Sequence, residues 1–300
     1  MRFDIRDIAV REIETAKQIV KKAEGQKGKI VIYANAKDKG SVVYLHTLIQ
    51  KLEAIGIDAF MILPQETFTT AMDFNTSMKQ MCATPDVCAI LIQRPIQPHL
   101  MESELTVATE LARSSEYGWK FVDKKFDEVN MTDERNHPCT AVALMQAVRI
   151  VFPSPDERSR KLATIVNRSQ NVGRPLAQLL MNSQVTTAVC NSKTPKTVLW
   201  HLLQQSQIIV TATGVADLFS PSEYHYFVPN NTDRRLIIDV GTPGDIHDEL
   251  DSMLLKAENV YYLPAKRGIG MLTTAILVRN IAETFAKNYS VKENVNEHRN

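Results

Sequence analysis

The stretch Leu162-Ala163-Thr164-Ile165-Val166-Asn167-Arg168-Ser169-Gln170-Asn171-Val172-Gly173-Arg174-Pro175-Leu176 carries the clearest chemical signal in this 300-residue sequence. An apolar run enters a short polar turn, and a helical pattern leaves it with Pro175 in the first turn, where a missing N–H costs nothing. A turn of this kind can hold a diphosphate, because unpaired N–H groups and the helix dipole favour an anion there. Asn167, Arg168 and Gly173 are therefore candidate dinucleotide-binding residues, with Gly173 allowing helix and strand to pack closely. The full Gly-x-Gly-x-x-Gly pattern is absent. Asn167 stands where its first glycine belongs, and asparagine tolerates positive φ better than most residues. The alternative is an ordinary strand-to-helix turn of an α/β domain, since even a full glycine pattern is only a hypothesis.

The next strand ends in Cys190-Asn191-Ser192-Lys193-Thr194. An acidic residue there would hold the ribose 2′-hydroxyl of NAD. This chain has no carboxylate at that end and one cation, and Arg168 adds a second. The pattern favours the 2′-phosphate of NADP over NAD, unless both charges are merely solvated.

The surrounding elements fit an alternating α/β order. Strands are expected at Lys29 to Ala34, Asp58 to Leu63 and Val87 to Gln93, the last apolar on both faces and ending at Arg94-Pro95, as a central parallel strand should. Helices are expected at Ser41 to Gly56, with Ser41 as N-cap, and at Thr67 to Cys82. Lys120 to Pro138 is polar and aperiodic, which reads as a long surface loop. Thr140 to Phe152 reads as a helix broken by Pro153-Ser154-Pro155, a domain boundary. A second series follows: strands at Leu162 to Val166, Gln184 to Cys190, Ile208 to Ala212, Leu236 to Val240 and Asn259 to Leu263, with helices at Arg174 to Met181 and Thr197 to Gln204. Leu272 to Ala286 is a last helix, expected to pack back on the first domain. The resulting fold is α/β, with an N-terminal three-layer domain over residues 1–150, completed by 271–290, and a Rossmann-type doubly wound parallel sheet over 151–270.

Composition narrows the function. The formal net charge is +1, with 44% hydrophobic and 23% charged residues. No segment carries the basic excess of a nucleic-acid or membrane-surface protein, and no apolar run is long enough to span a bilayer. The N-terminus shows no secretory pattern. Cys82, Cys88, Cys139 and Cys190 are far apart, which suggests reduced thiols and a cytoplasmic protein. The seven histidines form no metal-binding spacing, so no metal is expected.

The order of short motifs resembles the bifunctional methylenetetrahydrofolate dehydrogenase/methenyltetrahydrofolate cyclohydrolases over nearly the whole chain. Arg168-Ser169-Gln170-Asn171-Val172-Gly173-Arg174-Pro175 is similar to that family's Gly-Arg-Ser-x-x-Val-Gly-x-Pro, without the leading glycine. Ser41-Val42-Val43-Tyr44 resembles Ser-x-x-Tyr. Ile92-Gln93-Arg94-Pro95 resembles the Gln-Leu-Pro loop, Val122-Asp123 the start of Val-Asp-Gly-Phe, and Pro138-Cys139-Thr140 the start of Pro-Cys-Thr-Pro. Ile238-Asp239-Val240-Gly241 matches outright, and Pro264 to Thr273 keeps the length of Pro-Val-Pro-Gly-Gly-Val-Gly-Pro-Met-Thr. Each is weak alone, and their common order is the specific signal.

The resemblance implies a folate-binding N-terminal domain, a Rossmann domain for NADP or NAD, a cleft between them and a homodimer. It implies that Tyr44, Gln93 and Asp123 line the folate pocket with Pro264 and Gly268, Asp123 binding the pterin. It also implies that Arg168, Ser169, Ser192, Thr140 and Thr242 touch the cofactor. Read without the resemblance, Tyr44 is a half-buried helix tyrosine and Asp123 a loop aspartate, whereas Gln93 ends a buried strand and needs a partner.

The departures bear on chemistry. The family helix continues Tyr-x-x-x-Lys, a lysine central to the cyclohydrolase step, and Leu48 is the matching residue. Val-Asp-Gly-Phe has become Val122-Asp123-Lys124-Lys125, and the folate loop now reads Ala265-Lys266-Arg267. Hydride transfer from the methylene bridge removes no proton and depends on positioning and electrostatics. Opening the methenyl bridge needs activated water and a titratable group, which leucine lacks. Lys51 lies two turns from Tyr44, about 10 Å along the helix axis, too far to replace it. Lys266 is the better substitute, unless it is a solvated loop lysine. The leading expectation is an NADP-dependent methylenetetrahydrofolate dehydrogenase with weak or lost cyclohydrolase activity. The alternatives are a bifunctional enzyme using Lys266, and a catalytically silent relative that binds a dinucleotide or other ligand.

Overall fold

The computed structural model describes residues 4–23, 28–34, 39–62, 70–93, 106–114, 120–124, 137–229, 233–266 and 268–297. Arg94, Pro95, Lys125 and Arg267 lie outside the described residues. The chain forms two compact units, Val10–Asn136 with Thr274–Asn300, and Met1–Ala9 with His137–Thr273.

In the first of these, helix α1 (Arg6–Lys22) precedes β1 (Lys29–Tyr33), α2 (Lys39–Glu53), β2 (Asp58–Ile62), α3 (Ala71–Ala83), β3 (Val87–Ile92), α4 (Thr106–Arg113) and β4 (Phe121–Val122). The strands run parallel in the order β2-β1-β3-β4. All six residues of β3 are buried, as its unbroken apolar run requires. Helix α3 starts at a capping box: Thr70 Oγ1 accepts from Asp73 N at 3.2 Å, and Thr70 N donates to Asp73 Oδ2 at 3.0 Å.

Two local expectations give way here. Helix α2 begins at Lys39, so Ser41 lies inside it rather than at its N-cap. The polar stretch after residue 120 does not begin as surface loop. Phe121 and Val122 pair with Ile90 and Leu91, and Lys120 is buried with its ammonium donating to Cys82 O at 2.8 Å and Thr84 O at 3.2 Å, the carbonyls that end α3.

The other unit contains α5 (Cys139–Val151), α6 (Pro155–Ser159), β5 (Leu162–Val166), α7 (Gly173–Asn182), β6 (Thr186–Cys190), α8 (Lys196–Gln205), β7 (Ile208–Thr211), α9 (Tyr224–Phe227), β8 (Arg235–Asp239), α10 (Asp248–Lys256) and β9 (Val260–Leu263). Helix α11 (Gly270–Glu297) closes the chain. The sheet is parallel throughout, ordered β6-β5-β7-β8-β9. Chain order reverses between β5 and β7, and α/β sheets bind ligands at such a switch point, outside the strands' carboxyl ends. The two parallel sheets are those the alternation of strands and helices predicts.

Arg235 opens β8 and is 1% exposed. Its guanidinium donates to Leu203 O at 3.1 Å and Gln204 O at 2.6 Å at the end of α8, and to Phe227 O at 3.5 Å at the end of α9. It thus satisfies the carbonyl ends of two helices whose dipoles favour a cation. Burial pushes its pKa down to about 10, still well above neutrality. Arg235→Met should lower stability by about 2 kcal/mol, because buried carbonyls lose charge-assisted donors. A urea midpoint equal to that of the unaltered protein would refute this role.

Among the described residues, no helix is long and apolar enough to cross a membrane, and no cluster of His, Cys, Asp or Glu could hold a metal ion. The four cysteines are buried and in no disulfide.

Candidate functional site

The turn after β5 is folded by its own side chains. Asn167 Oδ1 accepts from Ser169 N at 2.7 Å and from Gly173 N at 3.0 Å. Ser169 Oγ accepts from Val172 N at 3.1 Å, and Ser169 O accepts from Arg174 N at 3.1 Å. Asparagine in place of glycine is therefore a structural device: one carboxamide oxygen ties the turn to the first residue of α7. The sequence predicted that the backbone amides of this turn would face an anion. Those of Ser169, Val172 and Gly173 are instead taken up internally. The Arg168 and Ser169 side chains remain exposed.

Gly173 is buried at the start of α7. A Cβ there would lie 2.1 Å from the Asn167 carbonyl oxygen and 2.8 Å from its Oδ1. Only a residue without a side chain lets the helix start this close to the strand end.

The loop after β6 is set by Asn191 and Thr194. Asn191 N donates to Thr194 Oγ1 at 3.0 Å, and Lys193 N to Asn191 Oδ1 at 2.9 Å. This leaves Ser192 and Lys193 exposed at the carboxyl end of the strand next to β5. No carboxylate lies between Asn191 and Thr194, so a 2′-phosphate would meet cations and hydroxyls there rather than like charge.

Beyond β7 and β8, two buried aspartates organise the loops. Asp239 is 1% exposed and accepts from Gly241 N at 2.9 Å and Ile246 N at 3.1 Å. Desolvation raises its pKa, with the nearby Asp245 adding to the rise, although the backbone N–H donors oppose it. Asp245 is fully buried and accepts from Thr213 N at 2.7 Å, Thr213 Oγ1 at 2.9 Å and Gly214 N at 2.7 Å.

Thr242 is exposed in the loop between these aspartates. It lines an open pocket of about 470 Å³ with Asp217, Asp239, Asp248, Asp251, Pro264 and Lys266 among its neighbours. Asp251 accepts from Tyr262 Oη at 2.6 Å, and burial raises that phenol's pKa. Gly268 is buried close to Pro264: a Cβ would fall 2.0 Å from the Pro264 carbonyl oxygen. Thr140 is half-buried in the first turn of α5.

In the unit built on β1 to β4, Gln93 and Asp123 come together at neighbouring strand ends. Leu91 pairs with Val122, so Asp123 stands beside Ile92, one residue before Gln93. Gln93 N donates to Tyr33 O at 2.8 Å, while its Oε1 is buried with no hydrogen-bond partner among the described residues. A buried carboxamide oxygen at a strand end is a group that calls for a donor. Asp123 has φ of 55°, a left-handed conformation that aspartate tolerates and that often marks functional positions. Lys124, next to it, is committed elsewhere: its ammonium donates to Ala112 O at 3.0 Å. Tyr44 is half-buried on α2. Leu48, one turn on, is fully buried in line with Leu45 and Leu52, so that helical face belongs to the core.

Sequence reasoning missed Asp245 and the loop ties it makes. Its only signal was an aspartate after Gly244, a few residues beyond a strand end.

Two family models match the chain: the tetrahydrofolate dehydrogenase/cyclohydrolase NAD(P)-binding domain over residues 138–289, and the catalytic domain of the same family over residues 4–113. Among curated proteins, the bifunctional protein FolD of Clostridium botulinum (strain Alaska E43 / Type E3) is 25% identical over 291 residues, covering 93% of this chain and 95% of its own. Among solved structures, the Trypanosoma brucei methylenetetrahydrofolate dehydrogenase-cyclohydrolase complexed with NADP and an inhibitor superposes with a TM-score of 0.76 at 20% identity, covering 97% of this chain and 98% of that one. The NAD-dependent dehydrogenase of Saccharomyces cerevisiae gives 0.68 at 17% identity, covering 96% of each chain. At these identities the structural likeness speaks for the fold.

Proposed function

The chain belongs to the tetrahydrofolate dehydrogenase/cyclohydrolase family, and from that premise we propose that it oxidises 5,10-methylenetetrahydrofolate to 5,10-methenyltetrahydrofolate with NADP, the cyclohydrolase step being weak or lost. The observation that carries the cofactor half of this reading is the pairing of exposed Arg168 and Ser169 after β5 with Ser192 and Lys193 after the adjacent β6, and no carboxylate at that second strand end. Gly173, which leaves no room for a Cβ, fits the same seat.

In this reading NADP supplies the hydride acceptor. Arg168 binds phosphate by charge-assisted hydrogen bonds, and Ser169, Ser192, Thr140 and Thr242 orient the dinucleotide. On the folate side, Gln93 Oε1 accepts an N–H of the pterin, Asp123 binds the same ring, and Tyr44 lines the pocket. Oxidation leaves a cation spread over two nitrogens and releases no proton. The side chains need only place the bridge carbon and tolerate positive charge. A homodimer working in the cytoplasm completes the proposal.

Arg168→Ala tests it. A lost charged hydrogen bond to phosphate should raise the NADP dissociation constant about tenfold or more, with a smaller change for NAD. Calorimetric titration giving equal NADP affinity in the variant would remove Arg168 from the seat.

A second reading keeps both activities. It rests on Lys266, an amine lining the same pocket as Asp239, Thr242 and Pro264. Lys266→Met would then abolish hydrolysis while sparing oxidation.

A further inference from the structure

At the switch point between β5 and β7, one peptide group is held at both ends by side chains from the neighbouring strand ends. The last backbone bond of that strand pair runs from Ala212 N to Val166 O at 3.4 Å. One residue further, Asn167 Nδ2 donates to Ala212 O, so its carboxamide continues the ladder across the crevice. The N–H of the same peptide, Thr213 N, donates to Asp245 Oδ2 at 2.7 Å, and Asp245 Oδ1 takes Thr213 Oγ1 and Gly214 N. Asn167 comes from the loop after β5 and Asp245 from the loop after β8, so three strand ends are joined through the Ala212–Thr213 peptide.

We propose that Asn167 and Asp245 are positioning residues that clamp the Ala212–Thr213 peptide and so fix the wall of the crevice meant for the nicotinamide half of the dinucleotide. The inference rests on the reading of this face as a dinucleotide seat. In such sheets the adenosine ribose sits at the end of the second strand, here β6, so the other half lies over β7 and β8. Asn167 serves two ends at once. Its Oδ1 closes the phosphate turn on Ser169 and Gly173, and its Nδ2 anchors the far wall, which a glycine could not do. A wall already ordered spares the ligand the entropy of ordering loop residues.

The test uses the intact protein, NADP as the full ligand and adenosine 2′,5′-bisphosphate as its adenosine half. For Asn167→Ala, which removes the Ala212 anchor together with the Oδ1 that closes the turn carrying Arg168 and Ser169, we expect NADP affinity to fall more than about tenfold and adenosine 2′,5′-bisphosphate affinity to fall less. Asp245→Asn leaves that turn intact and keeps the shape but turns an amide N–H donor towards a backbone N–H donor, so NADP affinity should fall about tenfold, the equivalent of fixing about one loop residue, while adenosine 2′,5′-bisphosphate binds as before. Unchanged NADP binding in both variants would overturn the inference. So would equal losses for both ligands, the mark of general loosening. If the unaltered protein binds neither ligand, the dinucleotide reading itself fails, and the clamp as a ligand device fails with it.

Discussion

Methenyltetrahydrofolate should accumulate when this protein turns over methylenetetrahydrofolate with NADP. Oxidation and hydrolysis ask different things of the protein. The first needs geometry and a field that tolerates a cation. The second needs proton transfer, and a positioned acid or base contributes about a hundredfold to ten-thousandfold. The position that the family resemblance matches to the catalytic lysine is Leu48, and its side chain is fully buried beside Leu45 and Leu52. The helical face is thus committed to packing, and an ammonium there would pay a desolvation penalty. Lys124, a second amine introduced near the expected folate residues, already donates to Ala112 O. Hydrolysis should therefore run about a hundredfold or more below oxidation. Following the methenyl chromophore and reduced NADP in one cuvette measures both. Equal rates, lost on Lys266→Met, would transfer the account to the bifunctional reading.

Gly173→Ala should abolish dinucleotide binding and unsettle the unit around it. The added Cβ meets a backbone carbonyl at 2.1 Å, not the end of a flexible side chain. Relief requires moving the start of α7 or the end of β5, and β5 is fixed on both sides by β6 and β7. Overpacking of this kind typically costs 1–3 kcal/mol, and a backbone obstacle places it near the top, at about 3 kcal/mol. For a unit of this size the melting temperature should fall by roughly 6–12 °C. NADP binding should suffer more than stability, because Asn167 Oδ1, Gly173 N and Ser169 N share one hydrogen-bonded turn. A variant with wild-type melting and wild-type NADP affinity would show that the close approach has no functional weight.

The sheets were legible because parallel strands buried on both faces leave unbroken apolar runs, as in Val87–Ile92 and Ile208–Thr211. The turn at Asn167 was legible as a departure from glycine, though not the reason for it: Ala212 is 45 residues away along the chain. Phe121–Val122 is a strand only because Ile90 and Leu91 lie beside it, and two residues carry no period. Helix α10 was missed although Asp248, Glu249 and Asp251 mark its first turn, because its N-cap is His247, whose Nδ1 accepts from Glu249 N at 3.1 Å. Asp245 was illegible for the same reason as Ala212. Its partners arrive from another strand end, and nothing local announces them.

Amide chemical shifts of the isotope-labelled, intact protein during NADP titration address the dinucleotide seat most directly. The residues from Asn167 to Arg174 should move together with Ser192 and Lys193, and with Thr213 and Gly214 on the opposite wall. Saturating NADP that leaves these resonances in place, or shifts only residues remote from the carboxyl ends of β5, β6 and β7, would contradict the account.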